Sequence, residues 1–407
     1  MKTTIRFLTL SIALASASAS AANYAIEARG DAMGGVGVVS ANFLTAPFYN
    51  PALTAIYRRN DDVGMIIPSI GLSYNDEDDM VNDLDTVAGL LDSIDYNNID
   101  ADDIASLQQS LDSLEGDQAK LELGGVVAFA IPNQYVAANV FAKAYTETFA
   151  SPDIYTGADA GYGDEINTLI NASLSTVNAV AIGVTEVGVS FAKYQTFLGQ
   201  HIAFGVSPKL QRIYTYVYSA NLNNYDIKDV TENGTGETMF NLDAGFLWFH
   251  GPLRIGVAAT NLVSRDIETI SYTDTLSYTY SNDLISVTES RDINVGYAYQ
   301  MRPQYTIGAG FVADYATISV DYDINEDERF TGFDDNTQWL RVGGELDIMR
   351  QLKLRAGYKR NLAYENSDDT VTAGIGISPL NLFQLDIGAS YTNENSMGVY
   401  LNFLGSY

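Results

Sequence analysis

The chain has 407 residues, 51 acidic against 22 basic side chains, and a formal net charge of -29; it contains 2 His and no Cys. The missing Cys excludes disulfides and thiolate metal sites, and two His are too few for a histidine-rich metal centre. So large a negative charge argues against a nucleic-acid partner, which needs Lys and Arg to displace phosphate counterions. Nevertheless, 46% hydrophobic residues, with 27 Tyr and 17 Phe, indicate a folded chain.

The N-terminus has the pattern of a secretory signal peptide. Lys2 and Arg6 precede an apolar stretch over residues 7–15, and a run of small residues ends at Ala21. This order of regions predicts cleavage after Ala21, so that residues 1–21 are removed. A membrane anchor is the weaker alternative, because the apolar stretch is too short to span a bilayer. We therefore expect an exported protein.

Further along the chain, apolar residues alternate with charged, polar or glycine residues. Phe383, Leu385 and Ile387, for example, alternate with Gln384 and Asp386. A period of two is typical of strands with one apolar face. Most of these segments have roughly ten or more residues, which is enough to cross a bilayer when tilted. Strands are predicted at residues 62–74, 121–131, 134–146, 185–197, 200–214, 238–249, 251–262, 304–313, 315–324, 338–348, 351–360, 370–379, 382–392 and 396–407.

The lengths of the connections separate a membrane barrel from a soluble β-sandwich, whose strands also alternate. Short turns, such as residues 132–133 and 198–199, alternate along the chain with long connections, such as residues 75–120 and 263–303. Short periplasmic turns and long external loops are typical of outer-membrane barrels, and closure pairs every backbone polar group within the lipid. We therefore predict an all-β fold over residues 62–407, a closed antiparallel transmembrane β-barrel of about 14 strands in the cell outer membrane.

Most of the acidic residues fall in the long connections. Residues 60–119 contain no Lys or Arg, whereas Arg212, Arg254 and Arg350 lie near the short turns. We expect the acidic face to be external and the barrel to contact outer-membrane lipid and lipopolysaccharide. Two interpretations of the acids stay open: a solvated surface, or carboxylates that bridge to lipopolysaccharide through divalent cations.

Two of the long connections carry helical inserts. Asp100 is placed as the N-cap of one helix and Gly116 as its stop, within an insert at about residues 78–116. The apolar stripes must be buried, either by packing on one another as a helical hairpin or as a hydrophobic lid that captures a ligand. The stripes are Leu84, Val87, Leu91 and Ile94, then Ile104, Leu107, Leu111 and Leu114, and then Ile166, Leu169, Ile170, Leu174 and Val177.

Residues 27–53 carry a motif that resembles the start of FadL-type barrels, the hydrophobic-compound transporters. Ala28-Arg29-Gly30 and Ala32-Met33-Gly34-Gly35 lead to Asn50-Pro51-Ala52. The resemblance implies a plug segment, residues 22–61, inside a fourteen-stranded barrel. Its motif residues are Gly34, Gly35, Asn50, Pro51 and Ala52. Glycines in this segment let the backbone approach the wall closely, and Pro51 fixes a bend.

Later segments carry a more particular resemblance. Asn241-Leu242-Asp243-Ala244-Gly245, and the run from Trp339 to Glu345, are similar to the barrel group named after the plasmid-transfer operon protein TraF. That group lies within the FadL-type superfamily, and the shared name says little about mechanism. The better-known TraF of conjugation is a thioredoxin-like periplasmic protein, and a chain without Cys does not support that redox chemistry.

The strand pleat places charged residues on the lumen side of the predicted barrel. They could pair across strands and hold the plug, or they could line a polar transport path. Several inward positions are glycine, which either leaves room for a packed internal segment or permits the strands to coil. The predicted lumen charges are Asp243, Arg254, Asp321, Asp323, Arg341, Glu345, Asp347, Lys353, Arg355 and Asp386.

These features favour a channel over an enzyme. We find no catalytic constellation, and we predict no cofactor, no metal and no nucleic-acid partner; the oligomeric state stays open. Phe403 and Tyr407, on the lipid side of the last strand, are the predicted signal for the barrel-assembly machinery. The leading hypothesis is passive uptake of small hydrophobic molecules. The alternative is a non-transporting envelope scaffold or assembly protein for conjugation, secretion or surface attachment.

Overall fold

The computed structural model describes residues 27–57, 63–76, 78–95, 99–159, 161, 163–222, 234–281, 285–333, 335–365, 367–379 and 383–406. The predicted signal peptide and Tyr407 therefore lie outside the described residues. Among the residues that are described, no helix combines the length and the apolar character needed to cross a membrane.

Fourteen antiparallel strands form one closed barrel, which confirms the predicted fold class. The last strand pairs with the first, so the fourteen wall strands leave no open sheet edge. The wall strands are β1 (Gly64–Asn75), β2 (Ala119–Ile131), β3 (Ala137–Asp153), β4 (Thr176–Phe197), β5 (Gln200–Asn221), β6 (Gly234–His250), β7 (Leu253–Thr260), β12 (Gln304–Val312), β13 (Ala316–Asp323), β14 (Trp339–Ile348), β15 (Leu352–Asn361), β16 (Thr370–Ile377), β17 (Phe383–Asn393) and β18 (Ser396–Ser406). Each corresponds to one predicted strand.

The connection between β7 and β12 contains four further strands that were not predicted. They are β8 (Arg265–Glu268), β9 (Tyr272–Ser281), β10 (Ser286–Val295) and β11 (Ala298–Met301). β9 pairs with β10, and β8 pairs with β11. These strands consist mainly of Ser, Thr, Tyr and charged residues, so they lack the apolar alternation that marks the wall.

Strands β3 to β6 extend beyond their predicted external ends. β4 begins at Thr176 rather than at residue 185, and β5 continues to Asn221. Residues 179–184 of β4 are buried on both faces, because the external loops cover the side that would otherwise face outward. A strand covered on both faces loses the period of two on which the prediction depended. Val177, predicted as helical, therefore lies in β4.

The outer surface of the barrel is apolar and its inner surface is polar. On β17, Phe383, Ile387 and Tyr391 are 44%, 44% and 52% exposed, whereas Asp386 on the opposite face is fully buried. The same alternation continues around the wall. An apolar outer surface around a polar interior is the reverse of the arrangement in a soluble protein and is typical of transmembrane barrels. The chain is therefore an outer-membrane β-barrel whose apolar face contacts lipid.

A bulge at Pro68 interrupts β1. The pairing of β1 with both neighbours shifts by one residue between Ile66 and Ser69. Because the shift exchanges the two faces of the strand, Ile70 points outward like Met65. The prediction of a strand at 62–74 gives the position of β1 but not the bulge within it.

Three helices form an apolar cap at the external end. They are α2 (Met80–Ser93), α3 (Ala101–Leu114) and α4 (Asp164–Leu174), after the four-residue α1 (Ala28–Asp31) inside the barrel. The carboxylate of Asp100 accepts a hydrogen bond from the Asp102 N–H at 3.0 Å, as an N-cap does. The predicted stripes lie in one cluster with Tyr218, Leu222 and Tyr280. The helices therefore bury their stripes against one another and against the extended strands.

Asp117 makes the stability of this cap pH-dependent. Burial and then the neighbouring carboxylates, beginning with Asp78 and Asp83, raise the pKa of Asp117 to about 7. A raised pKa means that the folded cap binds the proton more tightly than the unfolded cap. The proton bound to Asp117 therefore stabilises the folded cap fully below about pH 4, and this stabilisation is lost as the pH rises through about 7.

We expect backbone amides of α2 and α3 to exchange more slowly at pH 5 than at pH 8, after correction for intrinsic exchange rates. Asp117→Asn should remove most of this difference, because the amide does not titrate. Asp103→Asn, which alters an exposed carboxylate on α3, is the matched control and should leave the difference in place. Equal protection at both pH values would contradict this assignment.

Candidate functional site

The lumen is occupied by residues 27–57, here called the inner segment. Its short helix α1 contacts β16, β17, β18 and β1, and the 3₁₀ turn Pro51–Ala55 contacts β3 to β6. From inside the barrel, the segment thus contacts two separate stretches of the wall, and nearly all of its residues are buried. This arrangement makes the lumen the candidate functional site.

Gly34 and Gly35 lie where the inner segment approaches the wall closely. Both have left-handed backbone angles, with φ of 73° and 84°, which favour glycine. The Gly34 N–H donates to Thr372 Oγ1 at 2.8 Å. A Cβ on Gly34 would lie 2.7 Å from the Tyr358 carbonyl oxygen, so no side chain fits there.

Glycines in the wall complete this close fit. A Cβ on Gly343 would lie 2.0 Å from the Met33 carbonyl oxygen, and one on Gly357 would lie 2.2 Å from the Gly34 nitrogen. A Cβ on Gly374 would lie 2.4 Å from the Ala32 Cβ. Of the two interpretations of inward glycines, room for a packed internal segment describes these positions.

Asn50, Pro51 and Ala52 attach the other end of the segment to β5 and β6. The Asn50 side-chain amide donates to the carbonyl oxygens of Val38 and Phe246, at 2.9 and 3.2 Å. Its oxygen accepts from the Ala52 N–H at 3.0 Å, which starts the 3₁₀ turn. A Cβ on Gly205 would lie 2.4 Å from Pro51, so the turn rests directly on the wall backbone.

A buried ionic network joins the inner segment to strands β14, β15 and β17. Arg29 contacts Glu345 at 3.1 Å, and Arg355 contacts both Glu345 and Asp386 at 2.7 Å. The side chains of Arg355 and Asp386 are fully buried. These charges are paired, as expected for ionic groups removed from water.

Asp321 and Arg254 hold the middle of the segment. Asp321 Oδ2 accepts from the backbone N–H groups of Gly37 and Val38, at 2.7 and 2.9 Å. Arg254 Nη1 donates to the Val39 carbonyl oxygen at 3.1 Å. Predicted lumen charges therefore contact the backbone of the inner segment directly.

The remaining predicted charges also lie on the lumen face. Asp323 forms a two-bond pair with Arg341, at 2.8 and 3.0 Å. Lys353 Nζ donates to Ser378 Oγ at 3.1 Å, opposite Asp347 in the strand register. Asp243 is paired with Lys209 at 2.8 Å.

Lys209 belongs to a second network that sequence reasoning missed. It also contacts Glu186 at 3.2 Å, and Glu186 is 3.7 Å from Lys143. All three charged side chains are nearly completely buried. Each alternates with small or apolar residues along β3, β4 or β5, so the same period of two could have identified them.

External loops close the mouth above the inner segment. Arg329, on loop 325–337, is 2% exposed and donates to Glu147 on β3. Phe330 lies beside it and makes edge contacts with Phe149 and Tyr299, at ring-centroid distances of 6.2 and 5.3 Å. The carboxylate of Asp335 accepts from the Phe330 N–H at 3.0 Å, and burial raises the pKa of Asp335 to about 6.

A cavity of about 80 Å³, here called the chamber, lies between the inner segment and loop 325–337. Val38 and Tyr49 of the inner segment line one side, and the loop lines the opposite side. Charged side chains contribute much of its wall: Asp321, Asp323, Asp327, Arg329 and Arg341. The chamber therefore combines polar groups with some apolar surface.

Phe403 lies on the outer face of β18, with its ring stacked on that of Phe383 at 5.8 Å. It faces lipid, as the pattern predicted. Its recognition by the barrel-assembly machinery stays a prediction.

Solved structures that share this fold include a toluene transporter and a monoaromatic hydrocarbon channel. The Ralstonia pickettii toluene transporter TbuX is 11% identical, with a TM-score of 0.51, and the match covers 94% of this chain and 97% of that chain. The monoaromatic hydrocarbon channel CymD is 12% identical, with a TM-score of 0.51 and coverage of 94% and 97%. At this identity the likeness shows a shared fold.

Sequence comparison identifies the family. No curated protein matches the chain significantly. The profile of the family described as "F plasmid transfer operon, TraF, protein" matches residues 47–323, which is well over half of the chain. The match extends from the inner segment to the end of β13. The chain belongs to this TraF family.

Proposed function

We propose that the protein is a passive outer-membrane channel for small hydrophobic molecules. The observation that carries the proposal is a barrel that shares its fold, over nearly its whole length, with channels for toluene and other monoaromatic hydrocarbons. No catalytic step is required.

In this proposal the inner segment is the plug that closes the channel. Its contacts are hydrogen bonds, ion pairs and close backbone packing, which can be broken and re-formed without unfolding the wall. A ligand would cross only when the segment shifts away from β7 and β12 to β14, where it borders the chamber.

A locked plug tests this function. A Cβ on Gly256 would lie 3.1 Å from Val39 Cγ1, close to the separation of a Cβ and the partner sulfur in a disulfide. Because the natural chain has no Cys, Val39→Cys with Gly256→Cys introduces one defined bridge. We expect a deletion strain to lose uptake of radiolabelled toluene, and the unmodified protein to restore it. The oxidised double variant should not restore uptake until its disulfide is reduced.

The matched control bridges two neighbouring wall strands. Ser190 Oγ and Ser207 Oγ are 2.5 Å apart on β4 and β5, so Ser190→Cys with Ser207→Cys can form a disulfide without joining the inner segment. This variant should transport in both redox states. If the deletion leaves the uptake of every tested apolar compound unchanged, the channel proposal is wrong. If the oxidised Val39→Cys, Gly256→Cys variant transports fully, the inner segment is not the plug.

An envelope scaffold is the second candidate. The family description and the lumen filled by paired charges favour it, since a scaffold needs a closed barrel rather than a path. Cross-linking in intact outer membranes followed by purification should then recover defined envelope proteins. Recovery of the barrel alone would count against this candidate.

A further inference from the structure

Three aromatic side chains, here called the aromatic trio, lie together at the end of the barrel opposite the helical cap. They are Tyr194 on β4, His201 on β5 and Phe249 on β6, close to the short turns that end these strands. Their ring centroids are 5.5 to 5.9 Å apart, and the His201 ring is within 18° of parallel to the other two. The Tyr194 hydroxyl also lies 2.5 Å from His201 Nδ1.

The aromatic trio faces the lumen and not the lipid. Because side chains alternate along a strand, Phe249 shares a face with Leu247, and His201 shares a face with Ala203. Leu247 and Ala203 are fully buried in the cluster that holds the inner segment. Phe246, on the opposite face of β6, is 43% exposed on the outer surface. The ring contacts within the trio place its third member on the lumen face too.

The trio is accessible from the periplasmic opening. Tyr194 is 41% exposed, and His201 and Phe249 are half-buried. The lumen face of a membrane barrel is normally polar, so accessible aromatic surface on this face is unusual. Exposed apolar patches with a polar surround often mark binding sites.

One apolar cluster connects the trio with the chamber. Val38 and Ala258 belong to this cluster and also line the chamber, and Phe249 packs against the same cluster. Val39 is a member as well, and a Cβ on Gly256 would lie 3.1 Å from its Cγ1, so the docked inner segment leaves little space there. When the segment shifts, an uncharged molecule that leaves the chamber can stay in contact with apolar side chains as far as the trio.

We propose that the aromatic trio binds one uncharged aromatic ring of the transported molecule before its release into the periplasm. This inference rests on the proposed channel function and adds to it a preference for aromatic over saturated hydrocarbons. Aromatic rings have negative faces and positive edges, so an aromatic guest gains from offset-stacked or edge-to-face contact with the trio. A saturated ring lacks this gain. Hydrophobic transfer alone would not favour the aromatic guest, because a saturated ring of the same size is less soluble in water.

The two histidines of the chain make binding at the trio directly observable. The full chain, labelled with ¹³C in histidine only, is titrated with toluene in detergent micelles at constant pH, and the imidazole C–H signals are followed by NMR. We expect a saturable shift of the His201 signal, because the ring current of a bound aromatic molecule acts at short range. His250, exposed at the turn after β6, should shift little, and His250→Gln assigns the two signals. No response at His201, or equal responses at both histidines, would overturn the inference.

Methylcyclohexane tests the chemistry of the site, because it has the outline of toluene without the aromatic ring. Its binding is measured as competition against the toluene-induced shift of His201. We expect it to bind about threefold or more weakly than toluene. Equal affinity would mean that the site recognises apolar bulk alone and would contradict the proposal.

Phe249→Leu removes one ring of the trio and keeps an apolar side chain. It should weaken toluene binding about threefold to tenfold. Phe246→Leu, on the lipid-facing side of the same strand, is the matched control and should bind toluene as before. Should Phe249→Leu not fold, Tyr194→Leu provides the same test. Unchanged toluene affinity in a folded variant of the trio would refute the site.

Uptake by cells separates this inference from the channel proposal. If the deletion strain loses toluene uptake but toluene gives no saturable shift at His201, the channel stands and the aromatic site is wrong. If toluene binds in a Phe249-dependent way and the deletion leaves the uptake of every tested compound unchanged, the site stands and the channel is wrong.

Discussion

Gly343→Ala is expected to release the inner segment from the wall. A Cβ at this position would lie 2.0 Å from the Met33 carbonyl oxygen and 2.8 Å from the Met33 Cβ. The segment has little room to move toward β15, because it also packs closely on Gly357, where an added Cβ would lie 2.2 Å from the Gly34 nitrogen. Overpacking of this kind costs about 1–3 kcal/mol, and the cost falls on the docked state alone.

A cysteine at position 40 reports this release. Ser40 is 3% exposed, and Ser40→Cys is nearly isosteric in a chain that has no other thiol. We expect maleimide to label Ser40→Cys about tenfold or more faster when Gly343→Ala is also present. The adjacent Gly344→Ala is the control, because among the described residues its Cβ would have a single atom within 4 Å, the Thr317 carbonyl oxygen at 3.3 Å. Equal labelling of the two variants would show that the close fit does not hold the segment.

Arg355→Met should cause a large loss of barrel stability. Arg355 bonds to Glu345 and Asp386 at 2.7 Å, and its own side chain is fully buried. Removing it leaves Asp386 buried without its cation and takes one of its two cations from Glu345. Breaking a buried ion pair by removing one partner costs about 3–5 kcal/mol. The temperature at which the barrel loses its compact migration in gels should fall accordingly.

A surface pair on the same strand provides the comparison. Arg360 lies 3.6 Å from Asp369, and both side chains are well exposed to solvent. Such pairs contribute about 0–1 kcal/mol, so Arg360→Met should leave the transition nearly unchanged. A similar shift in both variants would mean that the loss of any cation, rather than the buried network, sets the stability.

The sequence predicted the wall well because lipid imposes a simple rule on it. Each wall strand must be apolar outside and polar or small inside, and segments such as 383–391 show that alternation directly. The rule fails where lipid is absent. Residues 176–184 are covered on both faces and β9 is polar along much of its length, so neither carried the signal.

The sequence predicts which face of the wall each charged residue lies on, but not which residue it pairs with. The pleat places Glu345 and Arg355 in the lumen, but Arg29, which joins them, lies 316 residues from Glu345 along the chain. No local pattern encodes that contact, because it depends on how the inner segment folds back into the barrel. The chamber was not predicted for the same reason, since its two sides come from residues near 38 and near 329.

The most direct test of the central claim compares the two tryptophans in lipid. Trp248 lies on the outer face of β6 and Trp339 on the lumen face of β14, so single-tryptophan variants report the two faces separately. In vesicles of phospholipid brominated at shallow acyl carbons, we predict strong quenching of Trp248 emission and little quenching of Trp339. Absence of quenching at Trp248, or equal quenching at both positions, would contradict a barrel whose apolar face contacts lipid around a filled lumen.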